Sequence, residues 1–490
     1  MSDLDADFRD HIERLSALND ATGVLSWDQQ VTMPEGGTPA RSAQKSALST
    51  VTHDLLTDDR VADWIEEHES RDLERDDRAI VRELRRRHER AVRVPDELVT
   101  QISEASTEAL PVWEQAREES DFDAFADALD ELVALKRKYA EAIDPDRDPY
   151  AVLMEDFEPY LDVETTERIL DRLTDRLPPL IEAIAASDVD PTDPFDESVP
   201  AADQEAGVRA LLDGLGFDWD RGRLDTSTHP FTSGNQFDCR ITTRFDPSDP
   251  LDGVGSTVHE FGHATYELGL PQDAYGTPLG ESRDLVVHES QSRFWENHVG
   301  RTREFWEWAR PILDEHWTAT PDPAALYRAA NQVEPGPIRV EADELTYHLH
   351  IAIRFEIERD LIRGDLAVDE VPQVWADKYD EYLGIRPADD AQGALQDIHW
   401  SHGNFGYFPT YSLGSVLAAQ LDATVREAFD VPERVRAGEF DPIREWLGEQ
   451  IHQHGQRYTT PALIEEATGE ALTADPFLTY VDEKFGAIYR

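Results

Sequence analysis

The chain has 490 residues, of which 103 are Asp or Glu and only 46 are Lys or Arg, so its formal net charge is −57. A polyanion of this size repels phosphates, which excludes nucleic acids and anionic membrane surfaces as general partners. Hydrophobic residues make up 40% of the sequence and include 11 Trp, so we expect a packed core rather than global disorder.

The residue types also indicate the solvent conditions in which the protein works. Lysine occurs at only five positions, so nearly all the basic residues are arginine. An acidic, lysine-poor surface suits molar salt, where charges are screened within about 3 Å, and we interpret the composition as halophilic. The single Cys239 excludes an intrachain disulfide framework and fits a reducing compartment. No segment is typical of a signal peptide or a membrane span, so we expect a cytoplasmic protein.

The N-terminal half is predicted to be helical. Apolar residues recur three and four positions apart in 8–18, 43–56, 80–92 and 122–142, which is the spacing of amphipathic helices. The Pro- and Asp-rich residues 187–200 interrupt this pattern and are predicted to form an exposed loop rather than a domain boundary. We therefore treat residues 1–490 as a single domain.

A short β element is predicted in the middle of the chain. The sequence FDCRITTRF at 237–245 alternates in polarity, as strands do. Period two places Arg240 and Thr242 on one face, and Cys239 and Ile241 on the other. Cys239 is then interpreted as a buried, inert thiol. Helical patterns resume after residue 254, so the fold class is mainly α with a small β-sheet.

The strongest functional signal is HEFGH at 259–263. On a helix, His259 and His263 lie on one face, so both imidazoles can reach one metal ion at about 2.0–2.1 Å. Glu260 is placed to take a proton from the attacking water and pass it to the leaving amine. Because such a pattern arises by chance in roughly one chain in twenty, a third ligand is needed to support the interpretation.

Four downstream residues qualify as that third ligand, namely Glu281, Asp284, His288 and Glu289. A catalytic zinc site has three protein ligands and one open position. The sequence LVVHESQSRFWENH is typical of a partly buried helix, and Glu289 near its start is our preferred ligand. His288 is expected to support the site without binding the ion.

Six spaced motifs resemble those of the carboxypeptidase Taq family of metallocarboxypeptidases. Besides HEFGH they are HPF at 229–231, DCRIT at 238–242, HESQ at 288–291, IRVEAD at 338–343 and GALQDIHW at 393–400. The early sequence SWDQQVTMPEGG at 26–37 also resembles the N-terminal region of that family. The resemblance covers nearly the whole chain in matching order, and residues 226–414 carry the motifs of the expected active site.

The resemblance implies a helical clamshell of two lobes around a central groove, a small β-sheet near the active site, and a homodimer. It implies stepwise removal of C-terminal residues from peptides with broad specificity. It also implies that His259, His263 and Glu289 bind the metal and that Glu260 is the general base. Zinc is the expected ion, and cobalt is possible because the ligands do not discriminate between the two.

An exopeptidase has to bind the free C-terminal carboxylate, and arginine is its best-matched partner. Arg339 in IRVEAD is our first candidate. Arg240 is the second, because it can instead pair with an acid on its own strand face. An internal salt bridge is the alternative for both. His229 and His399 are further candidates for substrate contact, and bracing of the strand is the alternative for His229.

Residues 398–421 form the longest uncharged stretch, which predicts a segment that lines a buried part of the protein rather than facing solvent. Within it, His402, Tyr407 and Tyr411 are candidate donors to the oxyanion of a tetrahedral intermediate. For each of them, a satisfied place in the core is the alternative.

Two other functions stay open at this point. One is an oligoendopeptidase with the same metal chemistry, which the zinc motif alone permits. The other is a helical scaffold with a structural metal, which has no use for Glu260 or for an open coordination position.

Overall fold

The computed structural model describes residues 4–189, 194–195 and 197–489, and these form a mainly α-helical fold with one small β-sheet, as predicted. The helices that precede the sheet are α1 (Ala6–Val31), α2 (Thr38–Leu56), α3 (Asp59–Glu69), α4 (Arg75–Arg93), α5 (Asp96–Glu119), α6 (Asp123–Ile143), α7 (Pro149–Met154), α8 (Val163–Ala185) and α9 (Ala201–Leu215). Among the described residues, every helix is either too short or too polar to cross a lipid bilayer.

The helices that follow the sheet carry most of the candidate site. They are α10 (Pro250–Gly269), α11 (Leu285–Arg293), α12 (Arg303–Leu313), α13 (Pro323–Ala329), α14 (Thr346–Arg363), α15 (Val371–Leu383), α16 (Pro409–Ala428), α17 (Val431–Ala437), α18 (Asp441–Gln450), α19 (Thr460–Thr468) and α20 (Asp475–Tyr489). Helix α11 continues directly into a π-helix, Phe294–Gly300. Helix α16 is buried along most of its length against α11, α14 and α20, which explains the lack of charge in this part of the sequence.

The loop predicted at 187–200 lies partly outside the described residues, since 190–193 and 196 are not among them. Its described part is less exposed than predicted. Val199 is buried, and the ring of Phe195 lies 6.0 Å from that of Trp317. Apolar side chains thus tie this segment to the body of the protein.

The sheet contains β1 (Gly222–Thr226), β2 (Thr232–Gly234) and β3 (Cys239–Thr243) in the order β1-β3-β2, with β1 parallel and β2 antiparallel to β3. Cys239 and Ile241 are fully buried, as the alternation predicts. Thr242, which was expected on the polar face, is fully buried too. Its hydroxyl accepts hydrogen bonds from the Ser227 hydroxyl and the Phe231 amide, because the loop between β1 and β2 covers this face.

Two arginines lie side by side on the outer face of this sheet. Arg223 of β1 and Arg240 of β3 are register partners, and both guanidinium groups lie over the Trp27 ring of α1, at 5.0 and 4.5 Å. Each is neutralised by its own carboxylate, Asp225 for Arg223 and Asp238 for Arg240. This arrangement connects the first helix to the sheet.

The hydrophobic core has two clusters. The larger one runs through α5 to α20 and the inner face of the sheet. The smaller one joins α1, α3 and α4 through side chains such as Phe8, Val61 and Ile80. The division of a single domain, residues 1–490, into two lobes around a groove stays a prediction.

Candidate metal centre

His259, His263 and Glu289 lie together in the structure. Helix α10 places the two histidines one turn apart, and α11 places Glu289 opposite them. The Nε2 atoms of His259 and His263 lie 3.8 and 3.5 Å from Oε2 of Glu289. One ligand atom from each residue lies within 4.8 Å of the other two, a spacing that can hold one metal ion. The three residues predicted to bind the metal therefore converge.

Two glycines allow α10 and α16 to approach α11 this closely. A Cβ added at Gly262, inside HEFGH, would lie 2.5 Å from the Gln291 carbonyl oxygen and the Ser292 Cα. A Cβ at Gly414 of α16 would lie 2.6 Å from Cβ and Cγ of Glu289. Real side-chain contacts are longer than this, so the distances between the ligand residues depend on glycine at both positions.

Hydrogen bonds fix the tautomers of both histidines. Nδ1 of His259 donates to Oε2 of Glu296 at 2.8 Å, which leaves the lone pair of the ring on Nε2. Nε2 of His288 donates to Glu267 at 2.8 Å, so its Nδ1 is an acceptor. Nδ1 of His263 donates to that acceptor at 2.6 Å, which again leaves a lone pair on Nε2. Both Nε2 atoms are thereby prepared to bind a metal ion.

The other three candidates for the third ligand have different partners. Glu281 pairs with Arg87 at 2.5 Å. Asp284 caps the N-terminus of α11 and accepts a hydrogen bond from the Thr460 hydroxyl. His288 supports His263 from behind, in the position expected of a residue that orients a ligand.

Glu260 is buried beside the cluster, with 5% of its surface exposed. The Thr232 hydroxyl of β2 donates to its Oε2 at 2.6 Å, so the sheet positions this side chain. Burial raises the pKa of Glu260 and lowers the pKa of His263 to about 3. The His263 ring is thus held neutral.

Arg293 is a component of the site that the sequence interpretation missed. Its Nε donates to Oε1 of Glu289 at 2.7 Å, and its Nη1 donates to Oε2 of Glu296 at 3.0 Å. These residues are spaced i, i+4 and i+7, so they share one face of the helix that runs from α11 into the π-helix. The spacing from Glu289 to Arg293 is a signal that could have identified it.

A polar chain leads from Arg293 to the predicted carboxylate anchor. The Arg293 guanidinium lies 5.1 Å from the centre of the Tyr347 ring, and the Tyr347 hydroxyl accepts from Nη1 of Arg339 at 3.0 Å. Arg339 is 6% exposed, and its Nε donates to Oδ1 of Asp397 at 2.9 Å. The other oxygen of Asp397 accepts from Nε of the fully buried Arg354 at 2.6 Å. Neither Tyr347 nor Arg354 carried a sequence signal, because both reach the site from α14.

The remaining predicted substrate-binding residues, Arg240, His229 and His399, lie in three different environments. Arg240 forms a bidentate pair with Asp238, the arrangement that was considered as its structural alternative. His229 is exposed. The ring of His399 lies 4.4 Å from that of Phe408, and its Nδ1 is buried with no hydrogen-bond partner among the described residues. Burial lowers the pKa of His399 to about 4, so this ring is neutral.

The three candidate oxyanion donors do not share one environment. The rings of Tyr407 and Tyr411 meet edge to face at 5.4 Å, and Tyr411 also meets Tyr347 at 5.8 Å. Burial raises the pKa of both Tyr407 and Tyr411, so both keep their protons. His402 is exposed at the end of a 3₁₀ turn, His399–His402, and its carbonyl accepts from the Ser106 hydroxyl.

The chain is similar to known proteins over nearly its whole length. The family described as carboxypeptidase Taq (M32) metallopeptidase matches residues 7–485. Thermostable carboxypeptidase 1 of Thermus thermophilus is 38% identical, over 97% of each chain. The solved structure of Pyrococcus furiosus carboxypeptidase has a TM-score of 0.95 and 37% identity, and covers 98% of each chain. The M32 carboxypeptidase of Deinococcus radiodurans R1 has a TM-score of 0.95 and 35% identity over 99% of each chain.

Proposed function

This chain belongs to the carboxypeptidase Taq (M32) metallopeptidase family and is a metallocarboxypeptidase that acts on peptides, and we propose that it uses zinc to remove C-terminal residues one at a time, with broad specificity. The observation that carries this proposal is the convergence of His259, His263 and Glu289 beside the buried carboxylate of Glu260. The three ligands leave a position open for the reactants, as catalytic zinc sites do.

The donor set fits zinc. Two neutral imidazole nitrogens and one carboxylate oxygen are ligands that zinc favours, and the hydrogen bonds that the two rings donate to Glu296 and His288 orient them for it. When bound there, zinc would supply Lewis acidity, which lowers the pKa of a water ligand and polarises the scissile carbonyl. Cobalt accepts the same ligands and is the alternative ion.

Glu260 is proposed as the general base. The Thr232 hydroxyl holds Oε2, which leaves Oε1 to take a proton from the attacking water. The same carboxyl group then delivers the proton to the leaving amine, so that the peptide bond breaks without a separate acid. Because Glu260 follows His259 directly in α10, its carboxylate is positioned beside the metal ligands without being one of them.

Tyr407 and Tyr411 are proposed to stabilise the oxyanion of the tetrahedral intermediate. Both are protonated phenols, and Tyr411 lies on α16, whose Gly414 packs directly against Glu289. A neutral donor that is held in place stabilises developing negative charge without reorganisation. His402 is the third candidate, acting from the exposed end of the 3₁₀ turn.

Arg339 is proposed to bind the C-terminal carboxylate of the substrate. Arg339 and Arg354 share the single carboxylate of Asp397, so the three side chains together carry one positive charge. In a chain of net charge −57, this local excess favours an anionic group at the site. Arg240, His229 and His399 are proposed as further substrate contacts. Both arginines form the internal salt bridge that was their alternative, but Arg339 shares Asp397 with Arg354, whereas Asp238 neutralises Arg240 alone, so Arg240 ranks below Arg339.

The test uses one peptide in two forms, with a free and with an amidated C-terminus. The metal is removed with a chelator and restored as Zn²⁺ or Co²⁺, and products are read by mass spectrometry. We expect a ladder of single-residue losses from the free form only, which stops on chelation and returns with the metal. Internal cleavage of both forms would instead assign an oligoendopeptidase. Full turnover by metal-loaded Glu260→Gln would show that Glu260 is not the base.

We also propose a halophilic, cytoplasmic enzyme that forms a homodimer. The first two properties rest on the acidic, lysine-poor sequence and the buried free thiol of Cys239, and the dimer rests on family membership. Light scattering in 3 M and 0.1 M NaCl, together with activity at both concentrations, tests the dimer and the salt requirement. A monomer in molar salt would refute the homodimer. Unchanged fold and activity in 0.1 M NaCl would refute the halophilic character.

A further inference from the structure

A cavity of about 400 Å³ ends beside the metal centre. Helix α4, the segment after α7 and the segment that leads into α11 enclose it. His288 lines this cavity, and its Nδ1 is bonded to Nδ1 of the ligand His263 at 2.6 Å. A group bound in the cavity would therefore lie one side chain away from a metal ligand. The charged residues in its wall are Glu83, Arg86, Arg87, Asp156, Arg283 and Asp284.

Two of the three arginines in the wall are already neutralised. Arg283 forms a bidentate pair with Glu83, with Nη1 to Oε1 at 2.9 Å and Nη2 to Oε2 at 3.1 Å, and both residues are buried. Arg87 pairs with Glu281 at 2.5 Å and donates to the Gln456 side chain at 2.9 Å. Neither guanidinium group needs a further anion.

The other acidic groups in the wall also have partners. Asp156 pairs with Arg90 and accepts a hydrogen bond from the Tyr139 hydroxyl at 3.1 Å. Asp284 caps α11 and accepts from the Thr460 hydroxyl. These carboxylates are thus not available to a cation that enters from solvent.

Arg86 differs from the other charged residues of the wall. Within the part of the chain that the structure describes, no carboxylate lies within ion-pair distance of it, and its Nη2 donates to the backbone carbonyl of Glu155. Most of its surface is covered, and this burial lowers its pKa. Among the described residues, a backbone carbonyl is thus the hydrogen-bond partner of this guanidinium group, although the chain has 103 acidic residues. A bound anion would supply the missing partner.

We propose that this cavity is a substrate subsite in which Arg86 binds a carboxylate of the peptide. The inference rests on the proposed function, because it takes the bound carboxylate to belong to a peptide substrate. The volume suits one amino-acid residue. The carboxylate is that of a Glu or Asp side chain of the peptide, because Arg339 is proposed to bind the C-terminal carboxylate.

The experiment compares wild type with Arg86→Gln on tetrapeptides of alanine that carry Glu or Gln at the last or the next-to-last position. The loss of one hydrogen-bonded ion pair predicts a rise in KM of about tenfold or more. A rise for the Glu peptides alone assigns the cavity to an acidic side chain. An equal rise for all the peptides, with an unchanged inhibition constant for an amidated Gln peptide, would place the C-terminal carboxylate in the cavity and overturn both this proposal and the role of Arg339.

Arg85→Gln is the matched control. Arg85 lies on the same helix and carries the same charge, but it pairs with Glu69 outside the cavity. Arg86→Lys keeps the positive charge and is expected to retain part of the preference for Glu over Gln peptides. It therefore shows whether Arg86→Gln acts through the lost charge or through a disturbed fold. The proposal is overturned if Arg86→Gln behaves like Arg85→Gln, or if it weakens the amidated peptide as much as the free ones.

Failure of the proposed function would look different. Wild-type protein would then release no C-terminal residue from any of the peptides. The affinities of the same peptides for wild type and Arg86→Gln, measured by isothermal titration calorimetry, would still decide whether the cavity binds their carboxylates.

Discussion

Gly262→Ala is the substitution that most directly tests how the metal ligands are positioned. The new methyl group would lie 2.5 Å from the Gln291 carbonyl oxygen and the Ser292 Cα, whereas an ordinary contact is at least 3.4 Å. Both neighbours are backbone atoms, so the conflict is relieved only if α10 and α11 separate by about 1 Å. His259 and His263 lie on one of these helices and Glu289 on the other.

The expected losses follow from that displacement. Overpacking of a buried interface costs about 1–3 kcal/mol of unfolding free energy. A metal site tolerates ligand displacements of only about 0.2 Å, so we expect metal affinity to fall at least tenfold. A misplacement of about 1 Å near the reacting atoms can lower kcat/KM about a hundredfold.

Gly255→Ala is the matched control, because Gly255 lies in the same helix and a Cβ there would have no atom within 4 Å. Replacing an unhindered helical glycine should stabilise the fold by about 0.5–1 kcal/mol. Both variants are compared by denaturant unfolding, metal content after dialysis and kcat/KM in molar salt. If Gly262→Ala keeps the metal content and activity of Gly255→Ala, close backbone packing does not position the ligands.

Two further substitutions probe the surroundings of the centre, and a third probes a buried carboxyl group of α14 that accepts hydrogen bonds from Tyr150, Trp400 and the Gly406 amide. Glu296→Gln removes the carboxylate that orients His259 and should weaken metal binding about 10- to 100-fold, measured with a competing chelator; unchanged affinity would contradict the tautomer assignment. Tyr347→Phe removes an acceptor of Arg339 and should raise KM for free C-terminal peptides up to about tenfold; a fall in kcat at constant KM would argue against substrate anchoring. Burial raises the pKa of Glu358 to about 8 from its usual 4.5. The native state therefore keeps a proton that the unfolded chain has released, and stability should fall as pH rises from about 4.5 to 8. Glu358→Gln should remove this pH dependence of the unfolding free energy, measured by denaturant unfolding at molar salt. If the free energies of wild type and variant fall with pH in the same way, the raised pKa of Glu358 is refuted.

The sequence predicted the residues whose function depends on spacing along one element. His259 and His263 are one turn apart on a single helix, and Glu289, the preferred of four candidates, lies near the start of the next predicted helix; the structure brings these three side chains together. The buried segment around α16 followed from its lack of charge. Helical periodicity located four of the nine helices that the structure describes before the sheet, namely α1, α2, α4 and α6; the ends of the last three lie within about five residues of the prediction, whereas α1 continues 13 residues beyond it.

The rest depends on contacts between distant parts of the chain. Tyr347 and Arg354 reach the site from α14, and no spacing relates them to the metal motif. The burial of Thr242 results from a loop that folds over the strand, which alternation along the strand does not reveal. His399 and His402 belong to one short turn, yet the first is packed against Phe408 and the second is exposed.

The ring of Trp27 beneath Arg223 and Arg240 bears on how the attachment of the N-terminal helix responds to salt concentration. Ion pairs between exposed side chains lose most of their attraction when dissolved ions screen them within about 3 Å. Contact between an aromatic face and a guanidinium plane depends on close approach and on exclusion of water, and it weakens less under the same conditions. The junction of α1 with the sheet is therefore built from an interaction that concentrated electrolyte leaves largely intact.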